Sequence, residues 1–212
     1  MENHYPPMVS NASTTKEKLF ENAVRLFSLY GVKGVGIREI CQSVSIKESS
    51  FYNHFQSKEQ LVNEIFSRYL QVGKMTILTS AEIDAIVDRE NVENFFSAMM
   101  EKFLLFTENP LFQMMRRIVL MESFINPGAA EVAKKNLYYF RKESMEEGLR
   151  KLIEKGLIRD LDISTVTVEY CYAASEMLDE FLLFDFWKSD TTNVSKRLKG
   201  HISFFTDLIK DY

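Results

Sequence analysis

With 8 glycines and 4 prolines in 212 residues, the chain has little of what builds tight turns and bulges. That excludes collagen-like and low-complexity architectures and favours long helices with short connections. Only two cysteines occur, Cys41 and Cys171, each in a run of helical periodicity, so neither a disulfide framework nor a zinc site is expected. No run approaches the roughly 20 apolar residues of a membrane span, and no charged and apolar leader opens the chain. A cytoplasmic location without a membrane partner is therefore expected. With 3 histidines, no Ser-His-Asp or Cys-His pattern, no Gly-rich phosphate loop and no metal-ligand spacing, an enzyme is disfavoured and no catalytic residue, metal or cofactor is implied. A basic excess is missing as well. The formal net charge of -4 sits poorly with a phosphate backbone as partner. The acid is unevenly spread, however: residues 1–60 hold 7 of the 26 Lys and Arg and 6 of the 30 Asp and Glu, a weak basic bias at the front.

What is present is an apolar pattern of helical period, in a composition that is 46% hydrophobic. Residues 1–13 are polar, include Pro6 and Pro7, and show no such period, so a disordered arm is expected. From Thr15 the pattern sets in: Leu19, Ala23, Leu26, Phe27 and Tyr30 share one helical face. Thr14 or Thr15 can cap that helix, and Gly31 and Gly34 end it. A second short helix carries Ile37, Ile40, Cys41 and Val44 inward. A third, with Phe51 and Phe55 facing in, runs to about Phe55. The element after Ser57 carries Leu61, Ile65 and Tyr69 on one stripe. Beyond residue 80 the spacing predicts helices over Val92–Thr107, Leu111–Phe124, Ala129–Gly156, Ser164–Lys188 and Val194–Lys210, with Pro110 and Pro127-Gly128 marking boundaries.

Three short helices with a tight turn before the last form the minimal helix-turn-helix. The stretch IREICQSVSIKESSFYNHFQSKEQLV, Ile37 to Val62, points Arg38, Lys47, Ser49, Ser50, Tyr52, Asn53, His54 and Lys58 outward. Arg and Lys neutralise phosphates and release counterions, while hydroxyl, amide and imidazole groups donate to phosphate oxygens without net charge. In the major groove Lys donates to guanine acceptors, and a carboxylate such as Glu48 accepts from cytosine.

These residues resemble the TetR-family DNA-binding domain over about Thr14 to Tyr69. That family's motif has Ile-Ala at the inner helix, a Gly-Val turn, then Leu or Phe, Tyr, any residue, His or Tyr, and Phe, followed by Lys and Leu. Here Ile40 and Cys41, Ser45 and Ile46, Phe51, Tyr52, Asn53, His54 and Phe55, and Lys58 and Leu61 take those positions. The resemblance implies that Arg38 approaches bases or phosphate, that Lys47, Glu48, Ser49 and Asn53 face the major groove, and that Ser50, Tyr52, His54 and Lys58 hold phosphates. Two departures stand out: Ser45 replaces the usual Gly, and Lys47 replaces a helix-capping Ser.

The resemblance further implies an all-α fold, with a helix-turn-helix DNA-binding domain over residues 14–60 and a larger helical effector-binding and dimerisation domain over residues 61–212. Its partners would be double-stranded DNA at a palindromic operator, a second copy of the chain in a homodimer, and a small, largely apolar effector. Phe95, Phe96, Met99, Met100, Phe103 and Leu104 form one wide apolar face, and Leu111, Met114, Met115, Ile118 and Met121 another. Phe103, Met114, Met115, Ile118, Met121, Tyr139 and Met177 are the expected effector contacts, since Met adapts to irregular shapes; Tyr138, Glu122 and His201 could add polar contacts or serve the core. Val194, Leu198, Ile202, Phe205 and Ile209 form a seam suited to helix packing, which packing within one chain would also satisfy; on the resemblance, Leu178, Phe181, Leu182, Leu198, Ile202, Phe205 and Ile209 are the expected dimer contacts. Two recognition helices about 34 Å apart would match successive major grooves, until an effector pivots the connecting helix and the spacing is lost. Control by a protein partner instead, or an enzyme using the Met- and Phe-rich cavity, are the alternatives.

Overall fold

The structure is a computed structural model that describes residues 14–90, 92–104 and 109–209. Over these residues all regular structure is helical, the all-α class expected. The arm expected over residues 1–13 lies outside the described residues.

The helices group into two compact units. The first takes the described residues up to Val72 together with Asn109–Lys135, and the second takes the rest. In the first unit α1 (Thr15–Tyr30) begins where the Thr14 hydroxyl accepts from the Glu17 N–H at 3.2 Å and ends at Gly31, whose φ of +73° is a left-handed value favouring glycine. Next come α2 (Ile37–Ser43), α3 (Glu48–Phe51) and α4 (Lys58–Lys74). At the start of α4 the Ser57 hydroxyl accepts from the Gln60 N–H at 3.2 Å. Most of the expected inward positions are buried: Leu19, Ala23, Phe27, Ile40, Phe51, Leu61 and Ile65 fully so, and together they remove from water the faces that could not be stable in isolation; Leu26, Ile37 and Val44 are half-buried and Tyr30, expected on the α1 face, is exposed. The third helix is shorter than expected, because after Phe51 the chain turns through Tyr52–His54.

α7 (Pro110–Glu122) and α8 (Pro127–Ala133) complete this unit, each starting at a proline behind an asparagine cap, Asn109 and Asn126. α7 packs on α1, and Phe112 stacks on Tyr69 with centroids 4.7 Å apart. The boundary expected at residue 60 thus falls inside α4, and the grouping by contact does not follow chain order.

The second unit holds α5 (Ser80–Asp88), α6 (Val92–Leu104), α9 (Phe140–Glu154), α10 (Ile163–Phe186) and α11 (Thr192–Ile209). Its core joins Phe95, Phe96, Met99, Met100 and Phe103 of α6 to Met145, Leu149 and Leu152 of α9, Tyr170 and Leu178 of α10, and Leu198, Phe205 and Ile209 of α11. Two elements differ from expectation. α5 was not foreseen, although Thr79 and Glu82 form the capping box that announces it. The helix expected over Ala129–Gly156 is instead α8, a π-helical segment Lys134–Tyr139, and α9.

Candidate nucleic-acid interface

The interface is built around the turn between α2 and α3. Ile46 N–H donates to the Cys41 carbonyl at 3.0 Å and Ser45 N–H to the Gln42 carbonyl at 3.1 Å, the paired bonds of a Schellman helix end. Such an end needs a left-handed residue at the position after the cap, and Ser45 supplies it at φ +59°. The departure from glycine is therefore accommodated with the backbone geometry that glycine would have eased. The second departure has a plain outcome. Lys47 takes the N-cap position of α3 with extended backbone and makes no side-chain cap bond, so the helix starts at Glu48 and the Lys47 ammonium stays in solvent.

α3 and the turn after it hang on two buried rings. Phe51 and Phe55 are 0% and 1% exposed with centroids 5.5 Å apart, and this anchor turns the intervening side chains outward. Tyr52 is 58% exposed, its ring edge-on to Phe51. Asn53, Arg38, Lys47, Glu48 and Ser49 are exposed; Ser50, His54 and Lys58 are half-buried. All nine candidate positions lie in the first unit, between α2 and the start of α4, and none is sealed in the core. The Lys58 ammonium lies 5.7 Å from the Phe27 ring centroid, a cation–π contact that steadies the head while leaving its donors available.

Behind this edge, unit 1 is braced by charge. Arg68 forks onto Glu17 with two bonds of 2.8 Å and reaches Glu64 at 2.6 Å, while Lys16 meets Glu64 at 3.0 Å. The Arg68 hydrogen bonds hold the Glu17 carboxyl below its usual range, and burial of Glu64 is outweighed by bonds from Lys16 and Arg68, so it too is lowered. Glu122 emerges as a supporting residue: only 7% exposed, it accepts from the Val32 N–H at 3.3 Å and so holds the turn between α1 and α2. Beside it runs an open groove of about 430 Å3 whose walls include Val32, Lys33, Lys58, Glu122 and Asn126. Lys33 joins Lys58 there, a pairing that sequence spacing did not suggest.

The other expected contacts scatter. Phe103, Tyr139 and Met177 belong to the second unit, whereas Met114, Met115, Ile118 and Met121 belong to the first. Tyr139 and Met121 are exposed, Met177 is partly buried against the core, and the rest are buried. Tyr138 packs edge-on to Tyr172, 6.0 Å between centroids, and His201 lies with Nε2 3.1 Å from the Tyr170 carbonyl, its pKa lowered by burial. The seam expected to pair two chains needs correction. Leu178, Leu198, Phe205 and Ile209 are 0–5% exposed inside the unit's own core, so the 4-4-3-4 spacing is satisfied within one chain; Leu182 and Ile202 pack partly buried against that core, and Phe181 is half-buried. The large apolar residues left exposed here are others: Tyr172, Leu183 and Phe184 of α10, Trp187 at its C-cap and Phe204 of α11.

Fold and edge together define a helix-turn-helix protein with an attached helical unit. Residues 15–65 match the family described as bacterial regulatory proteins, tetR family. Among curated proteins it is similar to the HTH-type transcriptional repressor KstR2 of Mycolicibacterium smegmatis, 32% identical over 100 residues, 40% of this chain and 49% of that one. The chain spans about half the length of the curated relatives it matches first. Among solved structures, AibR in complex with isovaleryl coenzyme A and operator DNA is 18% identical with a TM-score of 0.60, covering 89% of this chain and 96% of that one. A regulator from Saccharomonospora viridis in complex with choline is 17% identical with a TM-score of 0.64, covering 95% and 100%. At these identities the two structures establish the fold.

Proposed function

We propose that the chain is a sequence-specific DNA-binding transcriptional regulator, acting as a repressor, that works by binding and not by catalysis. The observation that carries this reading is the edge of Tyr52, Asn53 and His54, turned outward by the buried Phe51 and Phe55. Lys47, Glu48, Ser49 and Asn53 read base edges, Arg38 approaches base or phosphate, and Ser50, Tyr52, His54 and Lys58 grip phosphates. The chain acts as a homodimer on a palindromic operator, and the exposed Leu183, Phe184, Trp187 and Phe204 supply the apolar face for self-association. The region from residue 61 onward receives a small, largely apolar effector, whose binding opposes DNA binding through the helix that starts at Lys58. Coupling of about 1–3 kcal/mol gives a roughly 5- to 150-fold change in affinity.

Fluorescence anisotropy with labelled duplexes tests the edge. Tyr52→Ala and Lys58→Ala weaken binding to every duplex alike, and losing Lys58 lowers the salt slope by about one unit. Lys47→Ala and Glu48→Ala shift which base pairs are preferred. Unchanged affinity and salt dependence in Lys58→Ala would count against the phosphate role.

A further inference from the structure

Resting on the reading that the α3 edge engages a duplex, we propose that the turn between α1 and α2 adds a further backbone contact, with the Lys33 ammonium bonded to a DNA phosphate beside the one held by Lys58. Lys33 holds none of the motif positions that suggested the edge; its place in the fold assigns it. It belongs to the same unit as the edge and lines the groove of about 430 Å3 together with Lys58. Along the chain it leads into α2, whose first turn carries Arg38. The turn therefore lies between two positions assigned to the duplex, one reached through the groove and the other along the backbone.

The turn is built to hold Lys33 in place. The Gly31 N–H donates to the Phe27 carbonyl at 2.9 Å, and the left-handed φ of Gly31 redirects the chain. A Cβ on Gly34 would collide with the Tyr30 carbonyl oxygen, so the turn folds back on the end of α1 only because no side chain stands there. From the other side Glu122 accepts from the Val32 N–H at 3.3 Å. Lys33 lies between these fixed points and is exposed. Its backbone is set before a partner arrives, so binding orders little more than its own four-carbon stem.

Charge decides what the groove takes. Its walls carry two ammoniums, Lys33 and Lys58, and two carboxylates, Glu59 and Glu122, which cancel in sum and exert no long-range pull on an anion. The close-range balance differs. Glu122 is buried and spends an oxygen on the Val32 N–H. Glu59 bonds its own N–H and the Ser57 hydroxyl, which hold its pKa below the usual carboxylate range. Lys33 forms no ion pair among the described residues, and Lys58 rests on the Phe27 ring. Both ammoniums therefore keep donors that a phosphate oxygen can take, whereas a cation would meet two lysines and only carboxylates already engaged.

Duplex affinity of the full chain, followed by fluorescence anisotropy from 50 to 200 mM salt, tests this. Each phosphate contact contributes about 0.9 to the slope of log affinity against log salt. Lys33→Gln should therefore lower the slope by about one unit per bound chain on every duplex alike, so that its loss of affinity is roughly three- to fourfold larger at the low-salt end than at the high-salt end. Lys33→Arg keeps the slope. Lys199→Gln, which removes the same charge from α11 in the second unit, leaves it unchanged. A second measurement uses the unaltered chain: acetylation with and without duplex, read by mass spectrometry, should find Lys33 shielded together with Lys58 while Lys199 stays reactive. A Lys33→Gln slope equal to that of the unaltered chain, an equal fall in Lys199→Gln, or full acetylation of Lys33 on the duplex overturns the proposal. If Lys58→Ala lowers the slope and Lys33→Gln does not, the DNA reading stands and this inference alone falls. An unaltered chain that binds no duplex at any salt overturns that reading and the inference with it.

Discussion

Ser45 closes α2 with a left-handed backbone at φ +59°, and replacing it with glycine measures what that geometry costs. An L-residue in this region is disfavoured by roughly 1–2 kcal/mol relative to glycine. Glycine gives back about 0.5–1 kcal/mol through the greater freedom of the unfolded chain. Ser45→Gly is therefore expected to stabilise by about 0.5–1 kcal/mol, provided the two turn bonds from Ser45 and Ile46 to α2 persist. For a chain of this size that is a rise in Tm of about 1–4 °C. Ser45→Val moves the other way, since a β-branched residue fits a positive φ worst. Urea denaturation followed by circular dichroism, with an unchanged m-value, is the assay. A less stable glycine variant, or a valine variant equal to the original, would refute the assignment of strain to this turn.

Other perturbations bear on the remaining parts. In α9 a Cβ on Gly148 would lie 2.2 Å from Phe95 Cε2, and Phe95 is fully buried; Gly148→Ala should therefore destabilise by about 1–3 kcal/mol from overpacking, less about 1 kcal/mol of helix propensity, read as a lower urea midpoint. Glu17 and Glu64 have pKa values lowered in the folded chain, so their contribution is fully present above the ordinary carboxylate value of 4.5 and is lost as pH falls through the lowered values. Arg68→Gln should flatten that acid limb of a stability-against-pH profile measured by thermal melts. In sedimentation velocity the chain should run as a dimer, and Trp187→Lys with Phe204→Glu should yield a folded monomer; Leu198→Ala, a core truncation, should lower the melting temperature instead.

Legibility followed from how many constraints each pattern carried. The front helices were readable because Leu19, Ala23, Phe27, Ile40, Phe51, Leu61 and Ile65 each had one face to bury against short neighbours, so period and motif agreed. α5 escaped because Ser80–Asp88 is 9 residues long and offers little more than two turns of apolar period; its capping pair Thr79 and Glu82 was the usable signal. The break at Lys134–Tyr139 escaped because a π-helical turn leaves composition unchanged and shifts only the register. α11 misled for the opposite reason. Its apolar residues lie on more than one side, and the regular set from Val194 to Ile209 belongs to the core, while Phe204 is the one left outside at 61% exposure. The expected effector contacts mixed residues of both units because their apolar runs look alike; which unit an α7 methionine joins depends on packing against α1, which no local spacing records.

Selection of bound sites from random duplexes with the full chain tests the central claim most directly. An inverted repeat whose half-sites are centred about 10 base pairs apart, or a multiple of that, is the predicted outcome, with Lys47→Ala or Glu48→Ala altering the recovered half-site. Recovery of no consensus at low salt, or of a single half-site without symmetry, would contradict a paired reader that enters the major groove through α3.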